Sequence, residues 1–404
     1  MVSVFDNTFL NLSTDFFTEI RSEKMPSPKV LFINKSLAET LNIKNKYLNE
    51  EYLSGNKLIS GSKQIAQKYA GHQFGNFVPS LGDGRAALLG EIVDKNNERK
   101  DIQLKGSGKT PFSRMGDGKA CLGPVIREHL ISESFFHLGI PSSRSLAIVL
   151  TGEKVIREKV HPGALLVRVS SSHIRIGTFE YFACRNDIKN LKKLADYCID
   201  RHYPEINGEN KYLDFLKKIT RKQASLISKW TGVGFIHGVM NTDNSAISGE
   251  TIDFGPCAFL EKYESNKVFS SIDLHGRYSF SNQPYIIQWN LSKLAECLIN
   301  LIEPNDLKLS ISKAEEVINH FPAIYKEEWI KVMKKKFGLK KENESDETLF
   351  SELFEIMEKN AVDFTLAFRF LKFLLPGEDQ KKWIELFKNK NDDNLKNFIK
   401  KFQK

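Results

Sequence analysis

The stretch RAALLGEIVDKNNERKDIQLKG, residues 85–106, holds two apolar segments on either side of a polar turn. The segments RAALLGEIVD and DIQLKG, joined by the KNNER turn, predict a β-hairpin. Further along, RSLAIVL (144–150), KVIREKV (154–160) and ALLVRVS (164–170) predict three more strands. One helix, over about residues 124–138, interrupts the strands, with Pro124 near its start and Gly139 then Pro141 as its stop. This region is therefore predicted to be a sheet with one inserted helix.

The C-terminal part of the chain is predicted to be helical. Only three of the 25 glycines follow Gly255, and apolar residues there recur at helical spacing over 289–301, 311–337, 346–375 and 380–402. A mainly antiparallel sheet with one inserted helix, followed by helices, is the order of the α+β protein-kinase-like fold, with a small N-lobe carrying helix C and a helical C-lobe. We divide the chain into an N-terminal extension packing on the lobes (1–70), an N-lobe with glycine-rich nucleotide loops (71–180) and a helical C-lobe with the catalytic loop (181–404).

Composition excludes several classes of protein. Hydrophobic residues make up 41% of the 404, which excludes a disordered chain. The net charge is +9, but the basic run is confined to residues 381–404 and is best interpreted as a solvated helix face. Five cysteines without a CxxC pair argue against a disulfide framework or a zinc ribbon. With no signal peptide, transit peptide or long apolar stretch, we expect a cytoplasmic monomer of bacterial type that binds neither nucleic acid nor membrane.

The strongest local motif is HGVMNTDN at 237–244, followed nine residues later by DFG at 253–255. In kinase-type chemistry an Asp accepts or orients a proton, while an Asn and the DFG Asp hold Mg²⁺ on the phosphates. The intervening SAISGETI predicts two very short strands around Gly249, which would bring Asn244 and Asp253 side by side. Small-molecule kinases carry His-Gly-Asp-x-x-x-x-Asn. Here Val239 follows His-Gly and the acid stands at position 243, so the base is expected to have a different geometry.

Two glycine motifs suggest other nucleotide folds and are rejected. GSGKT at 106–110 would end a Walker A loop only if position 103 were Gly, and it is Gln. GDGRAA at 82–87 is a weak dinucleotide motif that is followed by a strand, whereas a Rossmann fold requires a helix there. We interpret it as a glycine turn between strands that covers phosphates. Asp117-Gly118 is a second glycine turn, whose carboxylate could receive a ribose or a base.

Charged residues near these turns complete the candidate site. Lys105 ends the DIQLK strand, where a kinase-type lysine reaches the phosphates. Its helical partner is Glu128 or Glu133, which a rotation of about 140° separates, so both cannot face the lysine. We favour Glu128, with Glu133 as the alternative. Arg168 and Arg175 suit bidentate phosphate contacts. The histidines form no HxxxH or HExxH pair, which argues against a zinc site.

These motifs together resemble those of the selenoprotein O (SelO, YdiU) family. The resemblance covers about residues 5–305 and is faint beyond them. Its motifs are YAGHQFG (69–75), LGDGR (81–85), QLKGSG (103–108), RE (127–128), GIP (139–141), HGVMNTDN (237–244), DFGPC (253–257) and HGRY (275–278) through QWN (288–290).

The resemblance implies a kinase-like enzyme that binds ATP in a flipped orientation and transfers AMP to Ser, Thr or Tyr hydroxyls of proteins. The positions that match the family's ATP-binding residues are Gly82, Gly84, Arg85, Lys105, Asp117, Gly118, Arg168 and Arg175. Asp243 matches the proton acceptor, and Asn244 and Asp253 match the ligands of Mg²⁺, or of Mn²⁺ in its place. With the nucleotide reversed, the γ-phosphate would lie deep in the pocket and need the two arginines, while Glu128 and Asp253 complete the nucleotide site.

One departure and two alternatives accompany this interpretation. Family members usually continue to a C-terminal cysteine or selenocysteine, but this sequence ends at Lys404 with no cysteine after Cys297, as in a C-terminally short member. It therefore gives no support for redox control through such a residue.

The alternative enzyme is a kinase-type phosphotransferase, which the shifted acid and the two arginines disfavour. The alternative without catalysis is a nucleotide-binding pseudokinase scaffold, which has no need of Lys105, Asp243, Asn244 and Asp253 together.

Overall fold

The computed structural model describes residues 5–341 and 343–403, so Lys404 at the end of the predicted basic run lies outside the described residues. Its strands are β1 (Phe17–Glu19), β2 (Lys29–Ile33), β3 (Ile65–Gln67), β4 (Gly71–Gln73), β5 (Asn76–Val78), β6 (Ala86–Val93), β7 (Arg99–Lys105), β8 (Ala120–Cys121), β9 (Arg144–Ile156), β10 (Val160–Ser170), β11 (Phe235–Ile236) and β12 (Ala258–Phe259). Its α-helices are α1 (Lys35–Thr40), α2 (Glu50–Leu53), α3 (Leu122–His137), α4 (Ile176–Ala183), α5 (Ile188–His202), α6 (Lys211–Gly232), α7 (Gln283–Ile302), α8 (Leu307–Asn319), α9 (Phe321–Phe337), α10 (Asp346–Asn360), α11 (Phe364–Arg369), α12 (Lys381–Ile384) and α13 (Asp393–Phe402). Short 3-10 turns lie at Phe9–Asn11, Asn45–Tyr47, Thr242–Asn244, Phe280–Asn282 and Leu371–Leu374.

The main sheet is antiparallel, in the order β1-β3-β6-β7-β10-β9-β2, and β8 pairs with β10. The hairpin predicted over residues 85–106 is present as β6 and β7. The three strands predicted after the inserted helix are wrong in number, because β9 continues through Ile156 and pairs there with Val160 of β10. A bulge opposite Gly163 accommodates residues 151–153, between the two predicted strands, and Gly152 there has φ of +80°.

Both faces of the central strands β6, β7 and β10 are buried over most of their length, and side chains alternate between the two faces. On one face of β10, Ala164 and Leu166 pack with Val125 of α3. On the opposite face, Leu165 and Val167 pack in a cluster with Leu37 of α1 and with Leu41, the residue that follows α1. Helix α3 corresponds to the predicted inserted helix. Its buried residues form a stripe at helical spacing: Val125, Glu128, Ser132 and Phe135. The face of the sheet beneath α3 is the one on which the charged residues described below lie.

The C-terminal half is helical, and α7 contains the predicted span 289–301, but the three later spans divide into shorter helices. The span 311–337 divides at His320 into α8 and α9, and Pro322 lies in the first turn of α9. The span 346–375 ends its first helix at Ala361, at φ +51°, and Asp363 caps α11 by accepting a hydrogen bond from the Leu366 N–H. The span 380–402 contains α12 and α13. Capping residues end these helices even though the apolar spacing continues past them.

The described residues form two compact units that are interleaved along the chain. The first consists of the residues up to Ile219 with Asn241–Gly255 and Asn290–Ile318, and the second of Thr220–Met240, Pro256–Trp289 and the residues from Asn319 onward. The core of the second unit includes Phe350, Phe398 and Trp383, whose indole N–H donates to the Ala367 carbonyl at 2.8 Å. Our division at residues 70 and 180 stays a prediction.

The fold class is confirmed: an antiparallel sheet with one inserted helix precedes a helical C-terminal part, as in protein-kinase-like folds. Within the described part of the chain, none of the helices combines the length and the apolar character that a membrane crossing needs.

Candidate active site

The sheet register places three polar side chains on the face that α3 covers. Arg168 of β10 lies opposite Gln103 of β7, and Leu166 lies opposite Lys105. Because side chains two residues apart share a face, Gln103 and Lys105 point the same way, as do Leu166 and Arg168. Glu128 lies on the buried stripe of α3 and therefore meets these residues from above.

Lys105, Glu128, Arg168 and Asp253 form a buried cluster of charges. Lys105 Nζ lies 2.6 Å from Glu128 Oε2 and 2.6 Å from Asp253 Oδ1. Arg168 Nη1 lies 2.6 Å from Asp253 Oδ1 and 3.2 Å from Glu128 Oε1. Its other terminal nitrogen donates to Gln103 Oε1 at 2.5 Å. The lysine of the sheet, the glutamate of the helix and the aspartate of the DFG motif are thus in direct contact.

Arg175 joins the cluster from the residue that precedes α4. Its Nη2 lies 3.5 Å from Asp253 Oδ2, and its Nη1 lies 3.4 Å from Asp83 Oδ1. The guanidinium carbon lies 4.3 Å from the ring centre of Tyr69, within the range of a cation–π contact. Three cations therefore converge on the carboxylate of Asp253.

The structure resolves the choice between the two glutamates of α3. Glu133 accepts hydrogen bonds at 2.8 and 2.7 Å from Arg144, the first residue of β9, and another from the Ser145 N–H at 3.0 Å. Asn34 also donates to Glu133, at 2.7 Å. Glu128 is therefore the partner of Lys105, and Glu133 ties α3 to the adjacent strand.

Asp253 remains ionised because of the cations around it. Burial opposes its ionisation, but the positive charges of Lys105, Arg168 and Arg175 outweigh that effect and hold its pKa well below the usual range. Its backbone has φ of +61°, a left-handed conformation that costs a non-glycine residue roughly 1–2 kcal/mol. The ion pairs offset this cost and keep the carboxylate in the cluster.

Asp243 lies in the 3-10 turn Thr242–Asn244 and has one unsatisfied oxygen. Its Oδ2 accepts a hydrogen bond from Gln73 Nε2 at 3.4 Å, whereas its Oδ1 is buried without a hydrogen-bond partner among residues 5–341 and 343–403. Burial raises the pKa of Asp243 to about 6, against the opposing charge of Arg175. A Cβ at Gly71 would lie 2.7 Å from Oδ1, so that glycine leaves the space which the carboxylate needs.

The chain reverses between Asn244 and Asp253, but through an isolated bridge and not through the two very short strands that were predicted. Ser245 and Thr251 form an antiparallel bridge, and Gly249 between them has φ of +77°. The amide oxygen of Asn244 and the carboxylate of Asp253 are hard oxygen donors of the kind that Mg²⁺ prefers. The described residues contain no group of three His, Cys, Asp or Glu side chains placed to hold a metal. The pair fits Mg²⁺ bound in part by phosphate oxygens, because this ion is usually held by one or two protein ligands with substrate phosphates.

The glycine turn at Gly82–Gly84 is supported by a neighbouring loop. Thr110 Oγ1 donates to the Asp83 carbonyl at 2.7 Å, and Ser113 Oγ donates to the Gly84 carbonyl at 2.5 Å. Gly82 has φ of +74°, and a Cβ there would lie 2.4 Å from the Phe112 ring. The turn needs glycine both for its conformation and for the close approach of that ring.

In the described residues, the side chains of Arg85 and Asp117 are not paired with the charge cluster, although the Arg85 carbonyl accepts a hydrogen bond from the Gly106 N–H, next to Lys105. Asp117 makes a bidentate ion pair with Arg157, at 2.8 Å for each hydrogen bond, and that pairing lowers its pKa to about 2. Arg85 is exposed. In the part of the chain that the structure describes, neither Arg85 nor Asp117 forms a hydrogen bond or ion pair with Lys105, Arg168 or Asp253.

Sequence reasoning missed three residues of the site. Gln103 fixes the Arg168 guanidinium and donates to Asp83 Oδ2 at 3.2 Å, and Asp83 Oδ2 also accepts from the Gln67 N–H at 3.1 Å. Tyr69 lies beneath Arg175. Gln103 could have been found from its spacing of two residues from Lys105. Tyr69 and Asp83 lie in the motifs YAGHQFG and LGDGR, but their roles were not predicted because their partners are distant in sequence.

Comparison with known proteins gives a consistent family. The family model described as "Protein adenylyltransferase SelO" matches residues 1–404. A "Protein nucleotidyltransferase YdiU" of Agrobacterium fabrum is 50% identical over 379 residues, covering 93% of this chain and 78% of the relative. Proteins of the same name from Maridesulfovibrio salexigens and Lachnoclostridium phytofermentans are each 49% identical, covering 99% and 98% of this chain and 81% and 84% of the relatives.

One solved structure resembles this chain only weakly. The crystal structure of a Toxoplasma gondii rhoptry antigen kinase domain aligns with a TM-score of 0.31 and 10% identity, over 67% of this chain and 83% of that one. The family match spans the whole sequence, and the relatives share about half of their residues with it. The chain therefore belongs to the SelO family of protein adenylyltransferases.

Proposed function

We propose that this protein transfers AMP from ATP to Ser, Thr or Tyr hydroxyls of other proteins. Membership of a nucleotidyltransferase family gives the reaction class. The observation that carries the proposal is the convergence of Lys105, Arg168 and Arg175 on Asp253, beside Asp243 with its unpaired oxygen. The cations supply a site for phosphates, and the aspartate supplies a proton acceptor.

The two arginines are built into the protein as buried cations. Each has a side chain that is 2% exposed. In this structure Lys105, Arg168 and Arg175 are balanced by Glu128, Asp253 and Asp83. An unpaired buried charge costs several kcal/mol, so the acids keep the cations in place until phosphate oxygens replace part of their contacts. A planar guanidinium matches a phosphate group through two parallel hydrogen bonds.

The nucleotide is reversed relative to an ordinary kinase. The γ-phosphate contacts Arg168 and Arg175, and the α-phosphate faces the acceptor hydroxyl. The acceptor oxygen attacks the α-phosphorus, the bond from that phosphorus to the oxygen bridging to the β-phosphate breaks, and diphosphate leaves. The hydroxyl proton passes to Asp243, whose raised pKa suits a proton acceptor near neutral pH. Gly82, Gly84, Arg85, Asp117 and Gly118 contact the rest of the nucleotide.

Asn244 and Asp253 would hold Mg²⁺, or Mn²⁺, together with phosphate oxygens. A bound divalent ion supplies neutralisation of the negative charge that develops on the phosphates during transfer. Asp253 can accept such an ion once phosphates take over some of its present contacts with Lys105 and Arg168.

The deciding experiment supplies the protein with Mg-ATP labelled at either the α- or the γ-phosphate, with a cell lysate as acceptor. Label on protein from the α-phosphate only, with release of diphosphate, is the expected result. Label from the γ-phosphate only would identify a phosphotransferase and overturn the proposal. ATP binding with no transfer from either position would instead identify a nucleotide-binding scaffold. The Asp243→Asn variant serves as the background control in both arms.

A further inference from the structure

Glu180 lies in the middle of α4 with its carboxylate buried beside the turn that carries Asp243. Its side chain is 4% exposed. One carboxylate oxygen, Oε2, accepts a hydrogen bond from Thr242 Oγ1 at 2.5 Å, and the other, Oε1, lies 2.5 Å from His72 Nδ1. Two elements far apart in sequence, β4 and the Thr242–Asn244 turn, are therefore held by one acid.

The three residues form a closed ring of hydrogen bonds. The backbone N–H of His72 donates to Thr242 Oγ1 at 2.7 Å, and the Thr242 hydroxyl donates onward to Glu180. A hydroxyl has a single proton, so the bond from His72 leaves only one arrangement in which both contacts form. Thr242 is completely buried. The ring consequently sets the position and the rotamer of Thr242 with little freedom.

Close packing transmits the position of Thr242 to its neighbour. Thr242 and Asp243 are consecutive residues, and Gly71 and Gly177 both lie in close contact with Asp243. A Cβ at Gly177 would lie 2.2 Å from the Ala70 carbonyl oxygen and 3.4 Å from Asp243 Cα. The Phe74 N–H also donates to Asn241 Oδ1, at 3.1 Å, from the end of β4. A shift of the turn would therefore collide with β4 or α4 unless those elements moved too.

We infer that Glu180 is a positioning residue for catalysis, which acts with His72 and Thr242 to hold Asp243 where it can take the acceptor's proton. This inference rests on the proposed function, in which Asp243 is the proton acceptor. Helix α4 links the two halves of the site, because Arg175 precedes its first residue and Glu180 lies within it. The same helix thus holds a phosphate-binding arginine and fixes the turn of the base.

The test compares hydroxyl removal with hydroxyl retention at one position. In the full chain, kcat and KM for ATP are measured for Thr242→Val and Thr242→Ser, and the Kd for ATP is measured separately. Displacement of a catalytic group by about 1 Å can cost about 100-fold in rate. We expect Thr242→Val to lower kcat by about 10- to 100-fold while the Kd for ATP stays within about 2-fold. Thr242→Ser, which keeps the hydroxyl, should retain kcat within about 3-fold of the unmodified protein.

Two further variants make the result specific. Thr151→Val removes another buried hydroxyl, which accepts a hydrogen bond from the Glu153 N–H in β9, and should leave kcat unchanged. Glu180→Gln keeps the shape of the acid but loses its charge toward His72, and should lower kcat with the Kd for ATP retained. If Thr242→Val does not fold, as judged from its melting curve, the comparison of Glu180→Gln with Thr242→Ser decides in its place.

The outcomes separate this inference from the proposed function. Unchanged kcat in Thr242→Val and Glu180→Gln, with Asp243→Asn inactive, would overturn the positioning role alone. A parallel loss of kcat and ATP affinity, not restored by Thr242→Ser, would also overturn it, since the ring would then be only structural. Activity of Asp243→Asn close to that of the unmodified protein would overturn the proposed function and, with it, this inference.

Discussion

Asp253 is the residue on which the site's electrostatics depend. Its carboxylate contacts Lys105, Arg168 and Arg175 and has the left-handed backbone φ of +61°. In a protein without nucleotide, this single acid neutralises much of the charge that a triphosphate would meet. The same side chain is the proposed ligand of the metal ion, so its removal affects both charge balance and transfer.

Asp253→Ala is expected to abolish AMP transfer, with a loss of at least about 1,000-fold, because the proposed metal ligand disappears and three cations lose a partner. The measurement is incorporation of label from α-labelled ATP. Loss of a partner from a buried ion pair also costs about 3–5 kcal/mol, so the variant's melting temperature without ATP should be lower than that of the unmodified protein. Added ATP should then raise the variant's melting temperature more steeply than it raises that of the unmodified protein. Transfer close to that of the unmodified protein would contradict the assignment of the metal ligand.

Arg175→Ala is expected to weaken ATP binding by about 10- to 100-fold while changing AMP binding by less than about 3-fold, because in the proposed orientation of ATP the lost charge faces the γ-phosphate. Isothermal titration with each nucleotide measures the difference. Arg185→Ala is the control, since that arginine is exposed and lies over the Tyr181 ring instead. Equal losses for the two nucleotides would argue against the reversed orientation of ATP.

At the scale of elements, α3 shows how one helix carries two acids with different duties. Glu128 lies on the buried stripe and faces Lys105, whereas Glu133, five residues on, is directed toward Arg144 and Asn34. Helical geometry alone showed that the two could not share a role. Only the packing of α3 on β9 and β10 decided which acid took which.

The two acids of α3 offer a matched pair of substitutions. Glu128→Gln is expected to lower transfer by at least about 10-fold, because Lys105 loses one of its two charged partners and keeps only Asp253. Glu133→Gln is expected to lower the free energy of unfolding by roughly 1–3 kcal/mol with activity retained, because it weakens hydrogen bonds from Arg144 and the Ser145 N–H. Chemical denaturation and α-label transfer are measured for both. The reverse pattern would mean that the roles of the two acids are exchanged.

The element-scale errors of the sequence prediction have a common cause. The prediction ended one strand at Leu150 and began another at Lys154, whereas it continued helices through 311–337 and 346–375, where apolar residues recur. A bulge in the ladder with β10 lets β9 continue through residues 151–153, while Pro322 and the Asp363 cap begin new helices inside spans that the spacing predicted as continuous. Ladder register and capping compete with local periodicity, and here they prevailed.

At the scale of the whole molecule, stability has its own dependence on pH through the second unit. Lys336 is largely buried with its ammonium 4.7 and 4.1 Å from the ring centres of Phe364 and Phe368. No carboxylate forms an ion pair with it among residues 5–341 and 343–403. Burial therefore lowers the pKa of Lys336 from 10.5 to about 8.

The sign of the effect follows from proton binding. Between about pH 8 and 10.5 the unfolded chain holds a proton that the folded chain has released, so the free energy of unfolding rises with pH across this window. Below about pH 8 both states are protonated and the cost of the buried charge, at most about 3 kcal/mol, is fully present. Lys336→Met should raise the melting temperature at pH 7. It should also reduce the increase of the free energy of unfolding between about pH 8 and 10.5.

Urea unfolding at several pH values between 7 and 10.5 tests the prediction, with Lys335→Met as the control because that lysine is exposed. If Lys336→Met and the unmodified protein show the same change of unfolding free energy with pH, the buried lysine does not have the lowered pKa. A fall in stability at pH 7 would likewise contradict the prediction.

The amino-acid sequence by itself determined the order of elements and the identity of the charged residues. Two apolar segments on either side of a polar turn predicted the β6–β7 hairpin. Pro124 near the start and Gly139 after the end predicted the position of α3. Lys105, Asp243 and the DFG motif were recognisable because their spacing along the chain is itself the signal. Such features depend on residues a few positions apart, so a local pattern is sufficient to report them.

The tertiary structure alone decided which of these groups touch. It paired Glu128 with Lys105, placed three cations on Asp253, and closed the ring of His72, Glu180 and Thr242. The partners in these contacts are 23 to 170 residues apart. Contacts at such separations depend on strand register, helix rotation and close packing between elements, and no local pattern in the sequence encodes those.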